Sequence, residues 1–149
     1  MPLRFSGRFL QRVAAIFFIA VALNYVWEIA QAPLYAGKTD WGNALWHCFI
    51  ASLGDGILVW IIYAVGWAAF RRADWYRNPG MRVYGLMLGI GLCIGLGVEW
   101  VAIHILNRWA YTTDMPLIPG LGVGLVPVLQ MLLLPPLIFW LASLRAKHE

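Results

Sequence analysis

The sequence predicts an all-α integral membrane protein, a four-helix bundle with both termini cytoplasmic. Three observations predict it. The chain has 149 residues, 62% of them hydrophobic and only 12% charged, where a soluble domain is nearer a quarter charged. The apolar residues gather in four runs, approximately 9–31, 44–70, 82–107 and 121–143, each long enough to cross a bilayer core of about 30 Å. The basic residues alternate between the ends of these runs. Arg4, Arg8, Arg12, Arg71, Arg72, Arg77, Arg82, Arg145 and Lys147 lie before span one, between spans two and three, and after span four. Only Lys38 and Arg108 lie in the other two connections. By the positive-inside rule the first set is cytoplasmic. Basic residues at membrane borders determine topology, so no nucleic-acid partner is expected. The length suits a single domain.

Span one follows a short basic start. Ala30-Gln31-Ala32 imitates a signal-peptidase site, but the following Pro33, the length of the run and the bulky Trp27 and Glu28 argue for a retained helix. Pro33 ends it. Thr39 or Asp40 is placed to cap span two, from Ala44 to Phe70. A charged loop with Pro79-Gly80 leads into span three, Arg82 to Asn107, which carries two small-residue rows, Gly85/Gly89/Cys93/Gly97 and Gly91/Gly95/Glu99. The rows lie on roughly opposite faces, so neighbours can approach closely on both, and a homo- or hetero-oligomer through this glycine-rich helix is one reading. Span four runs from Leu121 to Ser143. Pro135-Pro136 removes two backbone donors and is expected to kink it; a re-entrant start near Ile118 to Val126 is a second feature of this segment. Trp41, Trp46, Trp109 and Tyr111 are expected at one membrane border and Trp67, Trp75, Tyr84 and Trp140 at the other.

The polar residues inside the spans carry the functional content. A carboxylate at mid-membrane costs about 2.5–3.5 kcal/mol on insertion scales, so Glu28, Asp55 and Glu99 are expected to face inward and find partners. Counting about 1.5 Å per residue from the presumed borders puts Asn24, Asp55, Glu99 and Gln130 at one level, one from each helix. Glu28, Gln31, His47, Cys48, Ser52 and His104 form a second layer nearer the outer surface. Asn24, Glu28 and Gln31 share a helical stripe, as do Cys48, Ser52 and Asp55 with His47 at its edge. His104 lies about 140° from Glu99 by helical phase. On the cytoplasmic side, Ala14 to Leu23, Ile57 to Phe70, Met87 to Gly95 and Met131 to Leu141 hold no ionisable groups beyond Tyr63 and Cys93. The pattern is a polar pocket open to the outer side above an apolar floor, which argues against a conduit.

Three functional readings follow. In the first, the chain is an intramembrane enzyme acting on a lipid or isoprenoid-like substrate. Asp55 and Glu99 share a proton as an acid–base pair, Glu28 and His47 handle the head group, and Asn24, Gln31, Ser52 and Gln130 bind and orient it. In the second, His47 and His104 ligate a haem or a metal ion. In the third, buried polar groups and glycine faces serve only assembly with a partner. HExxH, GxSxG and phosphate-loop patterns are absent. Cys48 and Cys93 form no CxxC and are not expected to pair.

Several segments carry a resemblance. Asn24-Tyr25-Val26-Trp27-Glu28 with Pro33-Leu34-Tyr35, His47-Cys48 with Gly54-Asp55, Trp109-Ala110-Tyr111 with Met115-Pro116, and Pro119 to Leu125 with Pro127 and Gln130 resemble an uncharacterised family of small four-span bacterial inner-membrane proteins. The resemblance implies a multi-pass topology and a bacterial inner membrane, and no activity.

Overall fold

The computed structural model describes residues 7–37 and 40–145. Arg4, Lys38, Thr39 and Lys147 lie outside the described residues. Helix α1 spans Gly7–Gln31 and runs into a 3-10 turn at Ala32–Leu34; α2 spans Trp41–Phe70; α3 spans Met81–Trp100 and continues as a π-helical turn at Val101–Ile105; α4 spans Leu125–Arg145. Four helices are long and apolar enough to cross a membrane, so the chain is a multi-pass membrane protein of all-α class. A hairpin of β1 (Leu117–Ile118) and β2 (Val123–Gly124) precedes α4. It occupies the segment where a re-entrant start was expected, and Gly120 and Gly122 turn it with positive φ of 79° and 63°, angles that glycine adopts without strain.

Asp40 caps α2, its Oδ1 accepting from the Gly42 amide at 3.1 Å and its Oδ2 from Asn43 Nδ2 at 2.7 Å. The cap starts the helix at Trp41, one turn earlier than hydropathy suggests. At the other end of α2, Arg71 adopts left-handed backbone angles and its amide bonds the Trp67 carbonyl. The chain reverses there, and the α2–α3 loop folds back into the bundle. Trp75 and Tyr76 are therefore core residues, only 3% and 1% exposed. This differs from the membrane-border position expected of Trp75. Its indole fills the space over Gly66, where a Cβ would overlap the ring, and packs on Phe70 and Phe139. Its Nε1 donates to the Tyr63 carbonyl, and the Tyr63 hydroxyl donates to the Ala73 carbonyl. Ile16, Val59, Ile62, Met87 and Ile138 complete a core that fills the half of the bundle nearer the described termini. Burial of these large aromatic rings contributes much of the apolar contact at this end of the bundle.

Around the bundle the helices follow the order α2, α1, α4, α3. Helix α1 packs along α2 and α4, and α3 packs along α4, while α2 and α3 meet only sparsely. The α3–α4 contact explains both the prolines and one glycine row. Proline has no N–H, so Pro135 and Pro136 release the carbonyls of Met131 and Leu132 from the helical ladder; α4 nevertheless continues through the pair as one helix. Gly91 lies against that released Met131 carbonyl, so closely that a Cβ would overlap its oxygen, and Gly95 abuts Val128 and Met131. The opposite row is different: Gly85, Gly89 and Gly97 have open space where a side chain would be.

The two rows are therefore expected to respond differently to one methyl group. Gly91→Ala should lower stability by about 1–3 kcal/mol, the usual cost of overpacking, in thermal unfolding of the purified protein in detergent. Gly85→Ala should leave the transition unchanged or raise it slightly through helix propensity. Equal responses would contradict the packing described.

Candidate functional site

The site is built at the end of the bundle that carries the α1–α2 and α3–α4 connections. Gln130 on α4 is its hub. Its Nε2 donates to Asn24 Oδ1 at 2.8 Å and to Asp55 Oδ2 at 2.9 Å, and its Oε1 accepts from Gln31 Nε2 at 3.1 Å. Gln31 Nε2 also donates to Glu28 Oε1 at 2.7 Å, and Gln31 Oε1 accepts from Trp27 Nε1 at 3.2 Å. Asn24 Nδ2 closes the network on the Ala20 carbonyl within its own helix. Both amide hydrogens of Gln130 and of Gln31 are therefore used. The order runs Trp27 to Gln31 to Gln130 to Asp55, each amide accepting at oxygen and donating at nitrogen, which fixes the rotamer of each. Fully satisfied networks of this kind hold side chains in one arrangement.

Glu99 is held separately. Its Oε2 accepts from the Tyr111 hydroxyl in a short hydrogen bond and from Trp109 Nε1 at 3.3 Å. These partners follow from the way α3 ends. The π turn and the positive φ of Asn107, 48°, send the chain back across the end of the helix. The segment then pairs with the α1–α2 connection: Ala36 N bonds the Ala110 carbonyl at 2.8 Å, and Thr112 N the Leu34 carbonyl at 2.9 Å. Tyr35 and Tyr111 form the bridge between the two connections and pack ring to ring. The Tyr111 hydroxyl also accepts from the Gly124 amide at 3.0 Å. Burial first, and then the Glu99 hydrogen bond, raise the Tyr111 phenol well above its ordinary value. The phenol therefore stays protonated near neutral pH and acts as a donor. Tyr35 is raised by burial and then by Glu99, Glu28, Tyr111 and Asp55, in that order.

A cavity of about 1130 Å³ lies between these groups, bounded by Glu28, Tyr35, His47, Asp55, Glu99, Arg108, Trp109 and Gln130 among others. Glu28 and Glu99 are buried and Asp55 is half-buried. Arg108 is exposed, and among the described residues the salt bridge formed is Arg72 to Asp74, at the opposite end. Four carboxylates, Glu28, Asp40, Asp55 and Glu99, and the Arg108 guanidinium thus border one space.

The structure brings Glu28, His47, Asp55, Glu99 and Gln130 to the cavity. Asn24 and Gln31 are buried behind it and position Gln130. Ser52 is buried and donates to the Phe49 carbonyl of its own helix, and Cys48 is buried as well. His47 Nδ1 bonds the Asn43 carbonyl at 2.7 Å. A carbonyl only accepts, so Nδ1 carries the proton and Nε2 is the free basic nitrogen of the neutral ring. His104 bonds the Leu121 carbonyl through Nε2 at 2.9 Å and packs on Trp100; it does not border the cavity. The Leu121 bond leaves Nδ1 as the His104 nitrogen open to a ligand. Among the described residues no three His, Cys, Asp or Glu side chains converge as a metal-binding group. Asn43, Tyr35, Trp109, Tyr111 and Arg108 are the site residues that sequence reasoning missed. A signal for three of them was present: Tyr35, Trp109 and Tyr111 fall within segments of resemblance.

Fold and site together define a multi-pass membrane bundle with a carboxylate-lined cavity at one end. The chain matches no protein-family model, no curated protein and no solved structure, so its chemistry is read from this geometry alone.

Gln130→Leu preserves approximate volume but strands Asn24, Gln31 and Asp55 together. It is expected to cost about 2 kcal/mol or more, since each buried group left unpaired costs about 1–3 kcal/mol. Unfolding in detergent measures it; a loss no larger than that of Ser52→Ala would show that the network is not joined through Gln130.

Proposed function

We propose that the chain is an intramembrane enzyme acting on a lipid or isoprenoid-like substrate, in a bacterial inner membrane, with its cavity facing the periplasm. The observation that carries this reading is the placement of Glu28, Asp55 and Glu99 around one cavity. Each accepts from a neutral donor that fixes its orientation: Asp55 from Gln130, Glu28 from Gln31, and Glu99 from Tyr111 and Trp109.

In this reading Asp55 and Glu99 are the acid–base pair on opposite walls, α2 and α3. One accepts a proton from the attacking group and the other returns one to the leaving group, the usual division of labour between two carboxyls. Gln130 orients Asp55, and Tyr111 with Trp109 orient Glu99. Glu28 and the free Nε2 of His47 handle the head group. Asn24 and Gln31 act through Gln130. The sidedness is supported by the basic residues: Arg8, Arg12, Arg71, Arg72, Arg77, Arg82 and Arg145 lie at the end away from the cavity, and Arg108 borders it. The aromatic plug behind the cavity, with its tight Gly66–Trp75 contact, supports a closed floor and disfavours transport.

Lipid mass spectrometry of bacterial membranes containing the chain tests the proposal. Production of the wild-type chain is expected to change the abundance of at least one lipid class. Asp55→Asn and Glu99→Gln are each expected to abolish that change, with unaltered thermal unfolding. If both variants produce the wild-type lipid profile, this pair is not catalytic.

A further inference from the structure

Of the four seams between neighbouring helices, α2–α3 packs least, and the cavity opens onto it. A second hollow of about 560 Å³ lies on the flank of this seam. Leu58, Val98, Arg108 and Trp109 border both spaces, and their positions give the shared boundary its depth. Leu58 is one turn along α2 from Asp55, and Val98 adjoins Glu99 on α3. Arg108 and Trp109 lie beyond the π turn that ends α3. The two spaces therefore lie side by side, from the level of the carboxylates to the end of the helix. The inner one holds the carboxylates; the outer one is a groove bordered along α3 by Ile94, Gly97, Val101 and Leu106. Gly97 is exposed, with open space where a side chain would be.

The groove has the length of one lipid chain. From Leu106 to Cys93 it follows α3 for about 20 Å, at about 1.5 Å per residue. Half of a hydrocarbon core of about 30 Å is about 15 Å, so the groove covers the depth of one leaflet. It lies on a membrane-spanning helix, where acyl chains are the surrounding medium. A lipid in that leaflet can lay a chain in the groove and place its polar end in the cavity at the same depth, across the shared boundary. We propose that the hollow beside Gly97 is the tail subsite of the acidic cavity, filled by one acyl chain of a bilayer phospholipid that enters sideways through the α2–α3 seam. The proposal rests on the lipid reading above and deepens it: it names the phospholipid class and fixes where the tail lies. Gly97 is then a specificity-determining residue, because a side chain there occupies the space of the tail.

The test is photo-crosslinking of the full chain in nanodiscs, read by peptide mass spectrometry. The probes are phosphatidylglycerol and phosphatidylethanolamine with a diazirine in one acyl chain, and a diazirine-bearing hexadecane, which is a chain with no head. Labelling of the segment from Cys93 to Leu106 is compared with labelling of Leu133 and Leu137, exposed residues of α4. At least one phospholipid is expected to label the groove segment at least fivefold more than this reference, and the headless chain less than twofold more. Gly97→Leu, which fills the groove, should lower the phospholipid enrichment at least fivefold. Gly54→Leu should lower it at least threefold: Gly54 borders the cavity and not the groove, and a side chain there meets open space. Gly85→Leu, also in open space on α3, should not lower it. If a groove or cavity variant does not fold, the contrast between headed and headless chains on the wild-type protein decides. Even labelling by both phospholipids, or equal enrichment by the headless chain, overturns the subsite. Enrichment that Gly54→Leu leaves unchanged also overturns it, because the lipid would then only coat the flank. A dimer in native mass spectrometry that Gly97→Leu abolishes would place a second copy in the groove and overturn it too. Enrichment with no lipid turnover in membranes would leave the subsite standing and remove the catalytic reading. Turnover that requires Asp55, with even labelling, would do the reverse.

Discussion

The structure depends on one buried side-chain amide. Gln130 projects from α4 into the middle of the bundle, and both its hydrogens and its oxygen are taken by other helices: Asn24 and Gln31 on α1 and Asp55 on α2. In a bilayer, apolar surfaces have little reason to prefer one another over lipid, so polar bonds and close backbone contact decide which helices pack. Gln130 makes α4 the centre of the arrangement, and the Gly91 contact with the released Met131 carbonyl fastens α3 to its other side. The result is a bundle closed along three seams and loose along the fourth.

That asymmetry is what makes a site. Were α2 and α3 joined as tightly as α1 and α2, Asp55 and Glu99 would meet across a packed interface and serve only to hold helices. Instead they stand on the two walls of a cavity, each held from behind by neutral donors. The paired connections at this end, tied through Tyr35 and Tyr111, cover part of the cavity and supply the Tyr111 and Trp109 donors to Glu99. At the other end the folded-back α2–α3 loop inserts Trp75 under Gly66, giving the molecule a rigid apolar base against which the polar end is built.

Much of this was legible in the sequence because two strong rules apply inside a membrane. Charged groups turn inward, and helical phase says which of them share a face; these rules together placed Asn24, Asp55 and Gln130 at one level, where a single amide joins them. The same rules found the Gly91/Gly95 row. What was not legible lies where the chain stops being a regular helix. Extending α3 to Asn107 hides the π turn and the left-handed residue that reverse the chain, so Trp109 and Tyr111 read as membrane-border aromatics when they are the partners of Glu99. Trp75 misled for the same reason: a tryptophan among arginines near a helix end looks interfacial, and only the left-handed Arg71 cap carries it inward. Ser52 shows the limit of phase itself. It lies on the expected stripe, yet its hydroxyl bonds its own helix and not the cavity.

The central claim is that the cavity between Asp55 and Glu99 receives a membrane lipid. Its most direct test is an experimental structure of the full chain grown from a lipidic mesophase. The account predicts lipid density in the cavity, in contact with Asp55 and Glu99. A structure in which α2 and α3 close against each other from Leu58 to Val98, with both carboxylates bonded only to protein and water, would contradict it.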